Sequence, residues 1–252
     1  MWATYQPYAD RDFLIKARED FRARVWEMYL GYSLMERGHR LSPKKNPKGP
    51  DACVLTSEGR VWFEAVLPGP GTTEDKVTPN TNGEIREVPV DKIILRLRSV
   101  IEKKCEKYKE YLEKGIVANG EPFVIAICGV NIPSAHCEGE YPFIVKAVFP
   151  IGSSEVRYEI DLKRGIMPLE KIFPYDPEVV RHNQLPIRKD IFFDPAYSSI
   201  SGVLYSSQGL YSLYDGFIFV HNPLATARLP VGYVRRCVEF WIENETLNST
   251  ST

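Results

Sequence analysis

Two carboxylates and a lysine are placed in this sequence as phosphodiester chemistry would need them. Asp51 follows Gly49-Pro50, and Glu64 comes thirteen residues later within VWFEAV. A carboxylate at the start of one strand and another near the end of its antiparallel neighbour meet at one sheet edge, because adjacent strands lie roughly 5 Å apart. Such a pair suits Mg²⁺ or Mn²⁺: Mg²⁺ takes one or two protein carboxylates and fills its other positions with water and phosphate oxygens. The cationic partner comes from 89–114, where Ile94, Leu97, Ile101, Tyr108 and Tyr111 trace an apolar stripe at steps of three and four. Lys104 fills the gap in that stripe, and a lysine on a core-facing stripe requires a carboxylate or a cleft to offset its desolvation.

The elements that must position these residues read as follows. Residues 11–37 have helical spacing, with Phe13, Ala17, Phe21, Val25, Met28, Tyr32 and Met35 as the expected buried face and Gly38 as the stop. Two strands, 52–56 and 60–67, flank the turn Ser57-Glu58-Gly59 and pair antiparallel. Alternation along the second puts Trp62, Glu64 and Val66 on one face. A Gly-, Pro- and Thr-rich stretch over 68–88 reads as a long loop, more often a flap than a passive connector. Pro89 opens the second long helix, which ends at Gly115, and the apolar run 122–130 reads as a buried central strand. Beyond it, strands are expected at 143–149, 156–162, 200–205 and 217–220, and the C-terminal NETLNSTST as a polar tail.

This order, with Pro50-Asp51, Glu64-Ala65-Val66 and the helix residue Glu27, resembles the PD-(D/E)xK nuclease superfamily over roughly residues 11–130. The resemblance implies an α/β, restriction-endonuclease-like αβββαβ core with a mixed central sheet flanked by helices. It places that core in 1–130 and a β-rich C-terminal extension, packed on the core, in 131–252. It further implies Asp51 and Glu64 as metal ligands, the Ala65 carbonyl as a third, and Glu27 as an outer or additional ligand. The tripeptide's lysine is absent, its place being held by Val66. Either the lysine has migrated to Lys104 or Lys107, the latter in the Gln position of a QxxxY-like element ending at Tyr111, or catalysis is lost. The expected function is therefore metal-dependent hydrolysis of nucleic acid, with a catalytically inactive nucleic-acid- or protein-binding scaffold as the alternative.

Charge placement supports a phosphate partner. Thirty-two Lys and Arg against 33 Asp and Glu leave a formal net charge of −1, which excludes a bulk-basic nucleic-acid coat. Basic residues nevertheless crowd the link before Asp51, where Arg40, Lys44, Lys45 and Lys48 are the nucleic-acid-binding candidates, DNA ahead of RNA, alongside Arg37. No apolar run reaches membrane-spanning length and no secretory signal is legible, so a cytoplasmic protein without a membrane partner is expected, a homodimer being one assembly its extension would serve. Five cysteines without CxxC spacing read as free thiols. Ordinary readings compete throughout: Asp51 as a turn acid, Glu27 as a solvated helix residue, Lys104 as a snorkelling lysine, His221-Asn222-Pro223 with Arg228 as a capped turn, His136 and Cys137 as unconnected to a metal, and Tyr197, Tyr205, Tyr211 and Tyr214 as core and rim aromatics.

Overall fold

A computed structural model describes residues 1–44, 48–80, 85–161, 165–208 and 216–251. The N-terminal helical region is broken rather than continuous. Helices α1 (Trp2–Tyr5) and α2 (Phe13–Glu19) precede α3 (Phe21–Glu36), which Asp20 caps by accepting from the Ala23 N–H at 3.1 Å. That break resets the helical phase, so the expected face over 11–37 is displaced. In α3 the buried residues include Trp26, Tyr29, Leu30 and Leu34, while Phe21 is exposed. Gly38 does end the helix, at φ +87°, with the His39 N–H returning to the Leu34 carbonyl.

The strands β1 (Arg40–Leu41), β2 (Ala52–Leu55) and β3 (Arg60–Val66) follow, with β2 and β3 antiparallel as expected. Helix α4 (Val90–Glu113) starts one residue later than anticipated, with Pro89 at its N-cap, and ends at Gly115, φ +64°. It carries the chain back to β4 (Phe123–Cys128), which lies parallel to β3 and is buried at every position. A strand with helices over both faces has no solvent side, and FVIAIC is accordingly apolar throughout.

Residues 143–149 were expected as strand and are helical instead: α5 spans Phe143–Val148 and is buried along its length. A short apolar run without polar interruption has no period to distinguish the two states, and Pro142 at the N-cap favours the helix. Two outlying hairpins follow, β5 (Glu155–Asp161) with β6 (Gly165–Ile172) and β7 (Glu178–Val180) with β8 (Pro186–Arg188). The chain then rejoins the main sheet through β9 (Gly202–Ser206), β10 (Ile218–His221), β11 (Val238–Glu243) and β12 (Thr246–Ser251). The polar C-terminal segment is therefore an edge strand paired along β11, a correction to its reading as a tail. Its alternating Thr and Ser residues suit a strand open to water, and the neighbour supplies the hydrogen bonds.

Among the described residues, eight strands form one mixed sheet in the order β1-β2-β3-β4-β9-β10-β11-β12. The sheet thus runs without interruption from the N-terminal half into the extension through the parallel pair β4–β9. Strand alternation divides the core in two. Phe123, Ile125 and Ile127 of β4 join α4 and α5 on one face; Val124, Ala126 and Cys128 join Trp26, Leu30 and Leu34 of α3 on the other. Trp26 also donates to the Ala126 carbonyl at 3.1 Å, fixing α3 to the central strand. No helix among the described residues is long and apolar enough to cross a membrane.

Candidate functional site

Glu64 lies near the C-terminal end of β3 and is fully buried. Trp62 and Val66, its neighbours on the same face, pack into the α4-side core, so Glu64 points toward α4. The helix meets it with three donors. Lys104 Nζ lies 2.7 Å and Lys107 Nζ 2.6 Å from Glu64 Oε1, and the Tyr111 hydroxyl donates to Oε2 at 3.0 Å. Spacings of three and four along one helix put these donors on one face, directly over the strand residue. Burial alone would raise the Glu64 carboxyl, but Lys104 and then Lys107 outweigh it and hold it below its ordinary value. The Tyr111 hydroxyl is pushed up, by burial first and then by the Glu64 charge.

Asp51 enters from the segment before β2. Its Oδ2 accepts from the Ala65 N–H at 2.8 Å, tying it to the residue next to Glu64. Its Oδ1 faces the Lys44 ammonium at 3.5 Å. The Asp51 carboxyl is raised, by burial and then by Glu64, so the two carboxylates sense each other's charge. Lys104 and Lys107 oppose that rise.

Glu27 completes the acidic side from α3. Its Oε1 accepts from the Tyr5 hydroxyl at 3.1 Å, and Arg24 pairs with Oε2. Gly31 makes this possible: a Cβ there would stand 2.5 Å from the Tyr5 ring, so only glycine lets α1 lie close against α3. Burial, followed by the nearby Asp51 charge, pushes the Glu27 carboxyl up to about 7. Lys44 bridges Asp51 and Asp10, the latter at 3.3 Å, and Asp10 also receives Lys16 at 3.2 Å.

The expected site residues are thus divided. Asp51, Glu64, Ala65, Lys104 and Lys107 come together, and Glu27, on α3, senses the charges of Asp51 and Lys44. Lys44 is largely buried, at 8% side-chain exposure, and ion-paired, so it belongs to the carboxylate cluster and is not a free phosphate contact. Arg37 is also structural: buried, it donates to the Ser33, Arg235 and Arg236 carbonyls and stacks on Phe217. Arg40 and Lys48 are exposed, and Lys45 lies outside the described residues. A cavity of about 450 Å³, lined by Lys44, Pro50, Asp51, Arg60, Trp62 and Ile116 among others, opens onto Asp51.

Three participants were not assigned a site role from the sequence. Tyr111 was legible only as a stripe residue and as the end of the QxxxY-like element. Tyr5 and Asp10 carried no local signal, since an N-terminal segment's docking position is a tertiary fact.

Elsewhere, His221 is buried and its Nε2 lies 2.6 Å from Glu239 Oε2, while Asn222 caps the following turn through the Leu224 N–H. Ser201 beside it is committed, accepting from the Phe123 N–H and donating to the Ala227 carbonyl. Tyr205 is core and Tyr197 donates to Glu102, whereas Tyr211 and Tyr214 lie outside the described residues. All five cysteines are free.

The chain matches no family model, no curated protein and no solved structure.

Proposed function

We propose that the protein is a metal-dependent phosphodiesterase of the nuclease type, acting on nucleic acid at Asp51 and Glu64 and built on a restriction-endonuclease-like core. The observation that carries this reading is the pair of ammonium groups that α4 delivers to Glu64. Val66 leaves the strand without a lysine, and Lys104 and Lys107 supply the positive charge at the same carboxylate from forty and more residues away.

The donor set suits a small hard cation. Among the described residues no group of three or more His, Cys, Asp or Glu side chains is assembled to hold a metal, but Mg²⁺ or Mn²⁺ needs only one or two carboxylates when water and phosphate complete the shell. Asp51 Oδ1, held among the described residues only by a long Lys44 contact, and Glu64 are those carboxylates, with the Ala65 carbonyl as the added ligand. Bound there, the cation would polarise the phosphoryl group and offset its charge. The chain's own contribution is positional. Ala65 N–H fixes the Asp51 rotamer, Tyr111 fixes Glu64, and the two lysines are within reach of a phosphate that shares Glu64 with them. Glu27, with its carboxyl near neutrality, is placed to hold or release a proton on the acidic side.

A second reading has its own support. Every Glu64 oxygen is engaged, Oε1 by two ammonium groups and Oε2 by Tyr111, which is also how a decayed site in a nucleic-acid- or protein-binding scaffold would be stabilised. The deciding experiment is cleavage of mixed DNA and RNA in Mg²⁺ or Mn²⁺ by the unsubstituted protein, Asp51→Ala and Glu64→Ala. Hydrolysis that falls at least a hundredfold in both variants supports the enzyme. Equal rates in all three, or none in any, sink it and leave the scaffold.

A further inference from the structure

A second cavity, of about 550 Å³, lies along the N-terminal half of α4 and plays no part in the site described above. Its lining comes from three places: α4, the segment 70–76 and the turn 181–183 between β7 and β8. These parts are fastened together. The His182 N–H donates to Asp75 Oδ1 at 2.6 Å, Lys92 reaches the Glu74 carbonyl at 3.3 Å, and Arg96 Nε holds the Gly69 carbonyl at 2.7 Å. Val77, next in sequence, is completely buried and anchors the segment.

The lining is cationic. Lys76, Arg96, Arg98, Lys103 and Arg181 face three carboxylates. Of those, Glu102 is taken by Arg98 and the Tyr197 hydroxyl, and Asp75 by the backbone. Lys76, Lys103 and Arg181 have no ion-pair partner among the described residues. Arg98 is tied to Glu102 at 2.8 Å and adds its charge to the wall. Ammonium and guanidinium groups gathered around one concavity are what a phosphate recruits.

The cavity and the candidate site are both reached from α4. Arg96, Lys103 and Lys107 are separated by seven and four residues and so share one face of α4. From Arg96 to Lys107 the helix rises about 16 Å, which spans roughly five nucleotides of a duplex strand.

We propose that this cavity is a phosphate-binding site that grips the polynucleotide backbone a few nucleotides from the phosphate held at Glu64. The proposal rests on the nuclease-type reading for its ligand, and it assigns this region the sequence-independent part of binding. The test uses the full chain in EDTA, which silences metal-dependent cleavage, and fluorescence anisotropy with labelled duplexes of several unrelated sequences across a salt series. The variant Lys103→Ala/Arg181→Ala removes two exposed cations without partners, and an unchanged melting temperature checks its fold. Affinity should fall about tenfold for every sequence, and the slope of log K against log salt should flatten by about two. Unchanged affinity and slope, or a loss confined to one sequence, overturns the proposal.

A second arm separates the sources of phosphate. Thermal stabilisation by inorganic pyrophosphate that the double variant loses, with no duplex bound by either protein, means a small phosphorylated ligand and overturns the backbone assignment. The two readings fail differently. Metal-dependent cleavage lost in Glu64→Ala, with duplex binding indifferent to Lys103 and Arg181, keeps the enzyme and removes this site. Uniformly weakened binding without cleavage does the reverse.

Discussion

Glu64 and Glu27 are both buried glutamates at one site, yet their carboxyls shift in opposite directions. Glu64 is held below its ordinary value and Glu27 is pushed up to about 7. Burial acts the same way on both, so the difference comes from what surrounds them. Two lysines close to hydrogen-bonding distance on Glu64. Glu27 has Arg24 and the more distant Lys44, set against Asp51 and Asp10. One pocket of the molecule therefore keeps a carboxylate ionised and the adjoining one keeps a carboxyl near the point of half-protonation. Environments that drive two carboxyls apart are what acid–base and metal chemistry require of a shared site.

The comparison breaks most severely if the cations are removed. In Lys104→Ala/Lys107→Ala the Glu64 carboxylate is left buried with Tyr111 alone, and stability at neutral pH should fall by about 3 kcal/mol, toward the lower end of the range for orphaning a buried charge because Lys107 is 44% exposed. The Glu64 share of the pH dependence should also reverse. In the unsubstituted protein the Glu64 contribution is present above an unfolded value of 4.5 and is lost as pH falls through the depressed folded value. In the double variant the carboxyl rises and stability improves on acidification. Urea melts from pH 3 to 8 check both through the difference between the variant and the unsubstituted protein, in which the Glu27 contribution cancels; a difference that keeps its size on acidification would refute the account of Glu64.

Glu27→Gln sharpens the other half. A carboxyl raised from 4.5 to about 7 binds its proton more tightly in the folded state, so its contribution is complete below 4.5 and is lost as pH rises through about 7. The unsubstituted protein should lose on the order of 3 kcal/mol relative to Glu27→Gln across that window and run parallel to it above. Parallel melting curves throughout would show Glu27 ionised like an ordinary surface acid.

The smallest effect is expected from Tyr111→Phe, which deletes one hydrogen bond to Glu64 while both lysines remain. A loss of about 1.5–2 kcal/mol, measured by the same melts, is the lower end of the scale for a single hydrogen bond to a charged group. A cost approaching that of the double lysine variant would make Tyr111, and not the ammonium pair, the main support of Glu64.

Much of this site was legible before any fold was known. The hairpin carrying Asp51 and Glu64, the helix 89–114 to within a residue, the central strand and the helix stops at Gly38 and Gly115 all follow from alternation, helical period and glycine placement. Lys104 was identifiable because a charge interrupts an apolar stripe. Where the period was weak, the reading slipped. The break at Asp20 shifted the face of α3, the unpunctuated run 143–149 hid a helix, and a polar tail concealed an edge strand. Lys44 illustrates a different limit, since its position in a basic link suggests a phosphate contact until burial between Asp10 and Asp51 shows otherwise.

Local identities are written along the chain: which residues alternate, where helices end, and that a carboxylate stands inside an apolar strand. Only the tertiary structure decided the pairings. Glu64 meets Lys104 and Lys107 because a β-α-β crossover lays α4 over β3, and Glu27 becomes a near-neutral acid because α1 closes over it through Gly31. Charge state depends on distance and burial, and neither is a property of a residue's place in the chain.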